Sequence, residues 1–432
     1  MTDRVRAGWL EILKGKFARD SLMTMGAVGV AGCAGLVVNL IIASTYGAHA
    51  LGVFNLAYAA LVIGAQVGAF GVPMAVLKYL SEFADDKDAG GAVVLVGLGL
   101  AAAVAAVVSS GVFLLRDALG RAMDSPDLAK ALFLVAPTIW MMSVNKTLLN
   151  SLNALRRMRA YSAFFGARPV LIVASLTFLV LGGAPSWALC GSLGIAEAFL
   201  LVGLFPVVFS SFRGGAPSGC REWGGRLLGF GFKSVPGGLM AELNTRIDIL
   251  VLGLLVSDTQ VGIYSMAAML VEGLYQLPYV FRLNVDPLIT RLYASGRHGE
   301  LVSMVRKGLC YSYPAMVALA LAAVALYPLV AVTITGDAVF AAGTGPFAVL
   351  AVGLVVQGGF LPFSGILVQS GRPGSQTLLL MGIAAVNVLG NFALVPGFGL
   401  FGAAAATSLA AALGVPMLLW LVRRQLGIRL LG

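Results

Sequence analysis

Apolar runs of about 20 residues, the length a helix needs to cross a bilayer, follow one another along the whole chain. No other feature limits the fold so strongly. In hydrocarbon each backbone N–H and C=O must find its partner within its own segment, so such runs become helices. Twelve are present. They lie near 22–44, 51–72, 91–114, 130–152, 161–183 and 187–210, then near 232–256, 261–284, 308–331, 345–369, 375–396 and 400–422. Of the 432 residues, 59% are hydrophobic and 11% charged, against about 25% charged in soluble domains. The 55 glycines, with abundant alanine, let helices approach closely in lipid, where packing drives association. The expected fold is an all-α polytopic membrane protein with twelve spans.

The net charge of +10 fits topology better than nucleic-acid binding, because the basic residues sit between the apolar runs. With the N-terminus inside, only Arg116, Arg121 and Lys130 of the 29 Lys and Arg fall outside, and only Lys146 and Arg246 fall at depth. This asymmetry requires an even number of spans with both termini cytoplasmic. Residues 1–19 read as a basic amphipathic helix on the inner face, followed by a retained first span rather than a signal peptide. Two inner loops are amphipathic, Met74 to Phe83 and Pro287 to Lys307. The longest break, rich in Gly and Pro, divides the chain into an N-terminal six-helix bundle (1–210), a cytoplasmic linker (211–226) and a C-terminal six-helix bundle (227–432).

The seventh run is unusual. It carries Glu242, Arg246 and Asp248 within seven residues. Each costs roughly 2.5–3.5 kcal/mol at a helix centre if it faces lipid. Glu242 and Arg246 are four apart and share a face. Asp248 lies about 200° around from Arg246 and faces another way, towards Asn39 or a backbone group. A helix so charged lines a watery cavity, and Arg246 offers its guanidinium to an anionic substrate. The alternative is an internal pair in which Glu242 neutralises Arg246. Lys146, with Asn145 and Asn150, lies on the fourth run and touches phosphate or sugar, or snorkels to the interface. Glu197, Glu242, Asp248 and Glu272 are candidate proton or cation carriers, since a carboxylate withdrawn from water takes up a proton more readily. Tyr275, Gln276 and Tyr279 on the eighth run are candidates to meet sugars.

A shift of 210 residues lays the first two runs on the seventh and eighth. Leu51-Gly-Val-Phe-Asn-Leu-Ala57 then meets Val261-Gly-Ile-Tyr-Ser-Met-Ala267. Two halves of six spans share one orientation, which implies a pseudo-two-fold axis along the membrane normal. The repeat partner of Arg246 is Leu36, so the first span supplies no matching charge.

Gly390-Asn-Phe-Ala-Leu-Val-Pro396, Gly399 and Gly402 to Thr407 stand near the end of the chain. Earlier come Gly52-Val-Phe54, Phe70-Gly-Val-Pro73, Ile247-Asp248 to Gly253, and Val261-Gly-Ile-Tyr264. In this order and spacing they resemble the bacterial polysaccharide transporter family, which includes the Wzx-type flippases. The wider group also holds the multidrug/toxic-compound extrusion transporters and the lipid II flippases. The resemblance covers nearly the whole chain. It implies a MATE-like flippase fold of two six-helix bundles working by alternating access. It also implies a cationic cavity for a polyprenyl-diphosphate-linked oligosaccharide, with Arg246, Lys146, Glu242, Asp248, Tyr275 and Gln276 lining it. Membrane lipids, a polysaccharide polymerase and chain-length proteins are the other implied partners, in the bacterial cytoplasmic membrane. The single mid-span arginine departs from the several cavity arginines of lipid II flippases.

The sequence holds no HExxH, Walker A or GxSxG motif, and its four cysteines are scattered. No enzyme, cofactor, metal or nucleic-acid partner is expected. Energy then comes from ion gradients, membrane potential or the substrate gradient. The rival function is a cation-coupled drug antiporter, which would want an anionic cavity.

Overall fold

The computed structural model describes residues 16–83, 86–212, 214 and 219–431. These residues are helical almost throughout. In chain order the α-helices are α1 (Lys16–Ala69), α2 (Val72–Glu82), α3 (Lys87–Ala122), α4 (Pro126–Ala154), α5 (Met158–Leu181) and α6 (Gly191–Phe209). They continue with α7 (Cys220–Leu255), α8 (Asp258–Ala294), α9 (His298–Thr335), α10 (Thr344–Phe360), α11 (Ile366–Gln369) and α12 (Pro373–Leu426). The amphipathic segment expected over 1–19 falls almost wholly outside the described residues, as do 215–218 at the centre of the expected linker.

Eight helical segments are long and apolar enough to cross a membrane. Two of them are double. Helices α1 and α12 each run 54 residues, about 80 Å at 1.5 Å per residue, against a hydrocarbon core of about 30 Å. Each breaks at one glycine between two of the expected spans. Gly47 has φ 78° and Gly399 has φ 53°, values that side-chain-bearing residues rarely adopt. Beyond Gly399 the chain doubles back, so that a Cβ on Gly390 would lie 3.1 Å from the Ala406 side chain. In a straight helix those positions would be about 24 Å apart. Helices α7 and α8 have spanning length, 36 and 37 residues, but are too polar to qualify by composition alone. Counting them, and α1 and α12 twice, gives the twelve spans.

The chain divides into two compact units. One comprises Met1–Ile41, Ala60–Leu119 and Pro126–Gly238; the other Ile42–Ala59, Gly120–Ser125 and Leu239–Gly432. The division thus runs through α1 and through α7.

In the first unit, α2 lays Val72, Ala75, Val76 and Leu80 against Val93 of α3, Leu148 and Leu152 of α4, and Leu204 of α6. This is the amphipathic stretch read from the sequence. Helix α7 starts at Cys220, inside the expected linker, because Trp223 is buried against the rings of Tyr79 and Phe83 at 5.7 and 5.3 Å. In the second unit, Ile289 of α8, Leu301 and Val305 of α9, Phe360 and Phe363 pack with Leu379, Leu418 and Val422 of α12. Large apolar side chains stay exposed on the outside of the spans. Leu114 of α3, Phe178 and Leu181 of α5 and Val202 of α6 are all more than 70% exposed. Such a surface needs lipid to cover it.

The repeat has a structural counterpart inside the second unit. A Cβ on Gly52 would strike the carbonyl of Asp258, and a Cβ on Gly262 would strike the carbonyl of Ala48. Gly52 and Gly262, like Ala48 and Asp258, are related by the shift of 210 residues. The contact is therefore mutual, each repeat unit's glycine receiving the other's backbone.

Candidate functional site

Each unit holds a group of polar side chains within its apolar helices. In the second unit, α7 presents its charged stretch on two faces. Arg246 is half-buried, and its guanidinium carbon lies 5.2 Å from the ring centroid of Tyr58 on α1. Tyr58 is itself stacked on Phe54, with centroids 6.5 Å apart and planes 4° from parallel. A cation over an aromatic face is attracted by the ring's quadrupole rather than by an opposite charge. Among the described residues no carboxylate oxygen comes within 4 Å of Arg246, so no ion pair with Glu242 forms there. Arg246 does lie in the fields of Glu272, Asp248 and Glu242. Glu242 is half-buried and Glu272 exposed.

Asp248 faces away from Arg246, as its spacing requires. It is buried, accepting from the Tyr264 hydroxyl of α8 at 2.7 Å and from the Ile249 N–H at 2.9 Å. The Asn39 side chain donates to the Gly35 carbonyl at 2.8 Å. The Tyr264 hydroxyl also lies 3.5 Å from that of Thr407. Thr407 donates to Asn387 at 3.4 Å, and Asn391 to the same oxygen at 2.9 Å. Asn387 in turn donates to the Asn244 carbonyl at 3.3 Å. This chain of polar contacts ties α7 and α8 to both arms of α12. A buried polar group left unpaired would cost about 1–3 kcal/mol, so the chain also fixes the register of the four segments. On α8, Tyr275 is half-buried, while Gln276 and Tyr279 are exposed.

In the first unit, α4, α5 and α6 meet at Glu197. Its side chain is 3% exposed and ion-paired with Arg168, whose Nε lies 2.7 Å from one carboxylate oxygen and whose Nη2 donates to the other at 3.2 Å. Asn145 donates to the same carboxylate at 2.7 Å and to the Glu197 carbonyl at 2.9 Å. Lys146 points elsewhere, donating to Gln66 of α1 at 3.0 Å. Lys146, Gln66, Asn150, Tyr161, Phe165 and Arg168 line a cleft of about 270 Å³. The structure therefore gathers Arg246, Glu242, Asp248 and Glu272 in one unit, and Lys146 and Glu197 in the other.

Sequence reasoning did not single out Tyr58, Tyr264, Gln66 or the Asn387–Asn391–Thr407 group for these roles. Tyr264, Asn391 and Thr407 stand inside the motifs quoted above, but one strand of sequence does not tell which helix an amide or hydroxyl meets. Tyr58 had a usable signal, the one tyrosine of the second apolar run, immediately after the repeated block.

The sequence matches the polysaccharide biosynthesis protein family over residues 17–277. A comparison with curated proteins gives no match. Among solved structures, the chain resembles the lipid II flippase MurJ in an inward closed conformation, with a TM-score of 0.69 and 17% identity over 93% of this chain and 87% of that one. It also resembles a multidrug resistance MATE family transporter of the MOP superfamily in an inward-facing conformation. There the TM-score is 0.66, with 15% identity over 93% of this chain and 98% of the other. A third is a MOP superfamily transporter from Pyrococcus furiosus, described by the reverse polarity of its binding pocket, at TM-score 0.60 and 13% identity over 94% of each chain. Twelve spans, bent helices α1 and α12 and these likenesses give the fold of the MOP superfamily. With well over half its length matched by the family, this multi-pass membrane chain belongs to the polysaccharide biosynthesis protein family.

Proposed function

We propose that this protein is a flippase that carries a polyprenyl-diphosphate-linked oligosaccharide from the inner to the outer leaflet of the bacterial cytoplasmic membrane by alternating access. Its product feeds surface polysaccharide assembly, as O-antigen, capsule or exopolysaccharide. Both termini are cytoplasmic, six spans fall in 1–210 and six in 227–432, and a polymerase and chain-length proteins act next.

The observation that carries this reading is Arg246, a cation within a span that lies over the Tyr58 ring and forms no ion pair among the described residues. An ionisable side chain kept in a membrane helix is a functional group by default. Diphosphate suits it, because a guanidinium edge matches two phosphate oxygens at once. Lys146 is a second contact for the substrate, through phosphate or sugar, and Tyr275 and Gln276 also meet sugars. Coupling to an ion is assigned to Asp248 and Glu272, whose fields reach Arg246, with Glu242 beside them. Glu197 is a weaker carrier, since Arg168 and Asn145 already engage its carboxylate.

The test is genetic. Arg246→Ala is expected to stop export of the surface glycan while the protein still inserts at wild-type level. Normal export by that variant would remove the phosphate-binding role. Extrusion of cationic drugs with no effect on surface glycan would favour the antiporter reading instead.

A further inference from the structure

The cleft in the first unit has a chemistry of its own. Tyr161 and Phe165 stand four apart on α5, with ring centroids 5.9 Å apart and planes 18° from parallel. Both line the cleft, as do the side chains of Gln66, Asn150 and Lys146. The cavity of about 270 Å³ is near the lower end of the roughly 300–1,000 Å³ typical of ligand clefts. It has room for one or two six-membered rings and not for a long chain.

The charges decide against a purely anionic ligand. Arg168 is ion-paired with Glu197, its Nε 2.7 Å from one carboxylate oxygen and its Nη2 donating to the other at 3.2 Å, so its charge is balanced within the wall. An anion would have to rely on Lys146, which already donates to Gln66. What the cleft does offer is aromatic side chains and amide groups in one lining. A pyranose ring has the same two-sidedness. Its axial C–H groups make an apolar face that packs on an aromatic ring, and its equatorial hydroxyls both donate and accept. The Asn150 side chain donates to the Lys146 carbonyl at 2.9 Å, which restrains its rotamer.

We infer that this cleft is a saccharide subsite, in which one sugar ring stacks on Tyr161 and Phe165 while Gln66, Asn150 and Lys146 hydrogen-bond its hydroxyls. The inference rests on the flippase reading for its biological meaning, but the site can be tested without transport.

The full-length protein in lipid nanodiscs would be titrated with methyl β-glucoside, methyl β-galactoside and methyl N-acetyl-β-glucosaminide, with saturation-transfer-difference NMR as the readout. Inorganic pyrophosphate binding would be measured on the same samples. Transfer to the ring C–H protons of at least one glycoside is expected. Tyr161→Ala should weaken that binding at least tenfold, Tyr161→Phe should keep it, and pyrophosphate binding should be unchanged in both. Arg246→Ala should keep the glycoside and lose pyrophosphate. Absence of transfer from all three glycosides, or equal binding by Tyr161→Ala, would overturn the subsite. Flipping of a lipid-linked oligosaccharide with no glycoside at the cleft retires the subsite alone. Glycoside binding that depends on Tyr161, in a protein that flips nothing, retires the transport reading alone.

Discussion

Tyr58 and Glu197 hold the two cationic side chains in opposite ways. Tyr58 holds Arg246 over its ring face without neutralising the charge, a contact worth about 0.5–2 kcal/mol. Tyr58→Phe should therefore transport nearly as wild type, and Tyr58→Ala should lose roughly twofold to thirtyfold in rate with no loss of insertion. Equal transport by Tyr58→Ala would show that the stacking is incidental. Glu197, by contrast, neutralises Arg168, whose side chain is only 18% exposed. Removing one member of a buried pair costs about 3–5 kcal/mol, whereas replacing both is often neutral. Glu197→Ala should lower the unfolding midpoint clearly, and Arg168→Leu with Glu197→Leu should recover much of it. A single variant as stable as wild type would contradict this account of the pair. At this scale the sequence was only partly legible. The 200° between Arg246 and Asp248 follows from helix geometry alone, and the two do face different ways. That Asp248 meets Tyr264 depends on how α8 lies beside α7, which no spacing within α7 encodes.

The helices themselves were easier to read, because apolar length is a property of each segment taken alone. The breaks at Gly47 and Gly399 fall between expected spans, since a chain too long for the bilayer must turn where a residue tolerates positive φ. Helix α7 begins inside the expected linker: Gly and Pro before it suggest a loop, while Trp223 packs into the core against Tyr79 and Phe83. The repeated glycines of α1 and α8 carry a sharper expectation. Gly262→Ala puts a methyl group against the Ala48 carbonyl, with backbone on both sides and nothing flexible to give. Overpacking of this kind typically costs 1–3 kcal/mol. Gly273→Ala on the same helix meets nothing within 4 Å and should gain up to about 1 kcal/mol of helix propensity. Thermal unfolding in detergent compares the two directly. A Gly262→Ala protein as stable as Gly273→Ala would show that the close approach does not bear on stability.

At the scale of the whole molecule, twelve spans and an uneven spread of basic residues set the class of protein, and family membership agrees with the motifs that suggested it. Which polar side chains share a unit was not legible, because α1 and α7 each contribute to both units. The account turns on Arg246 gripping a diphosphate during translocation, and the most direct measurement follows that step in a purified system. The protein would be reconstituted in liposomes with a fluorescent polyprenyl-diphosphate oligosaccharide, and the rate at which the label becomes reachable from the opposite face recorded. Hydrogen bonds to a charged group contribute about 1.5–3 kcal/mol, which is roughly tenfold to a hundredfold in rate. Wild type is predicted to flip the lipid and Arg246→Ala to do so slower by that factor; equal rates in the two, or no flipping by wild type, would contradict the account.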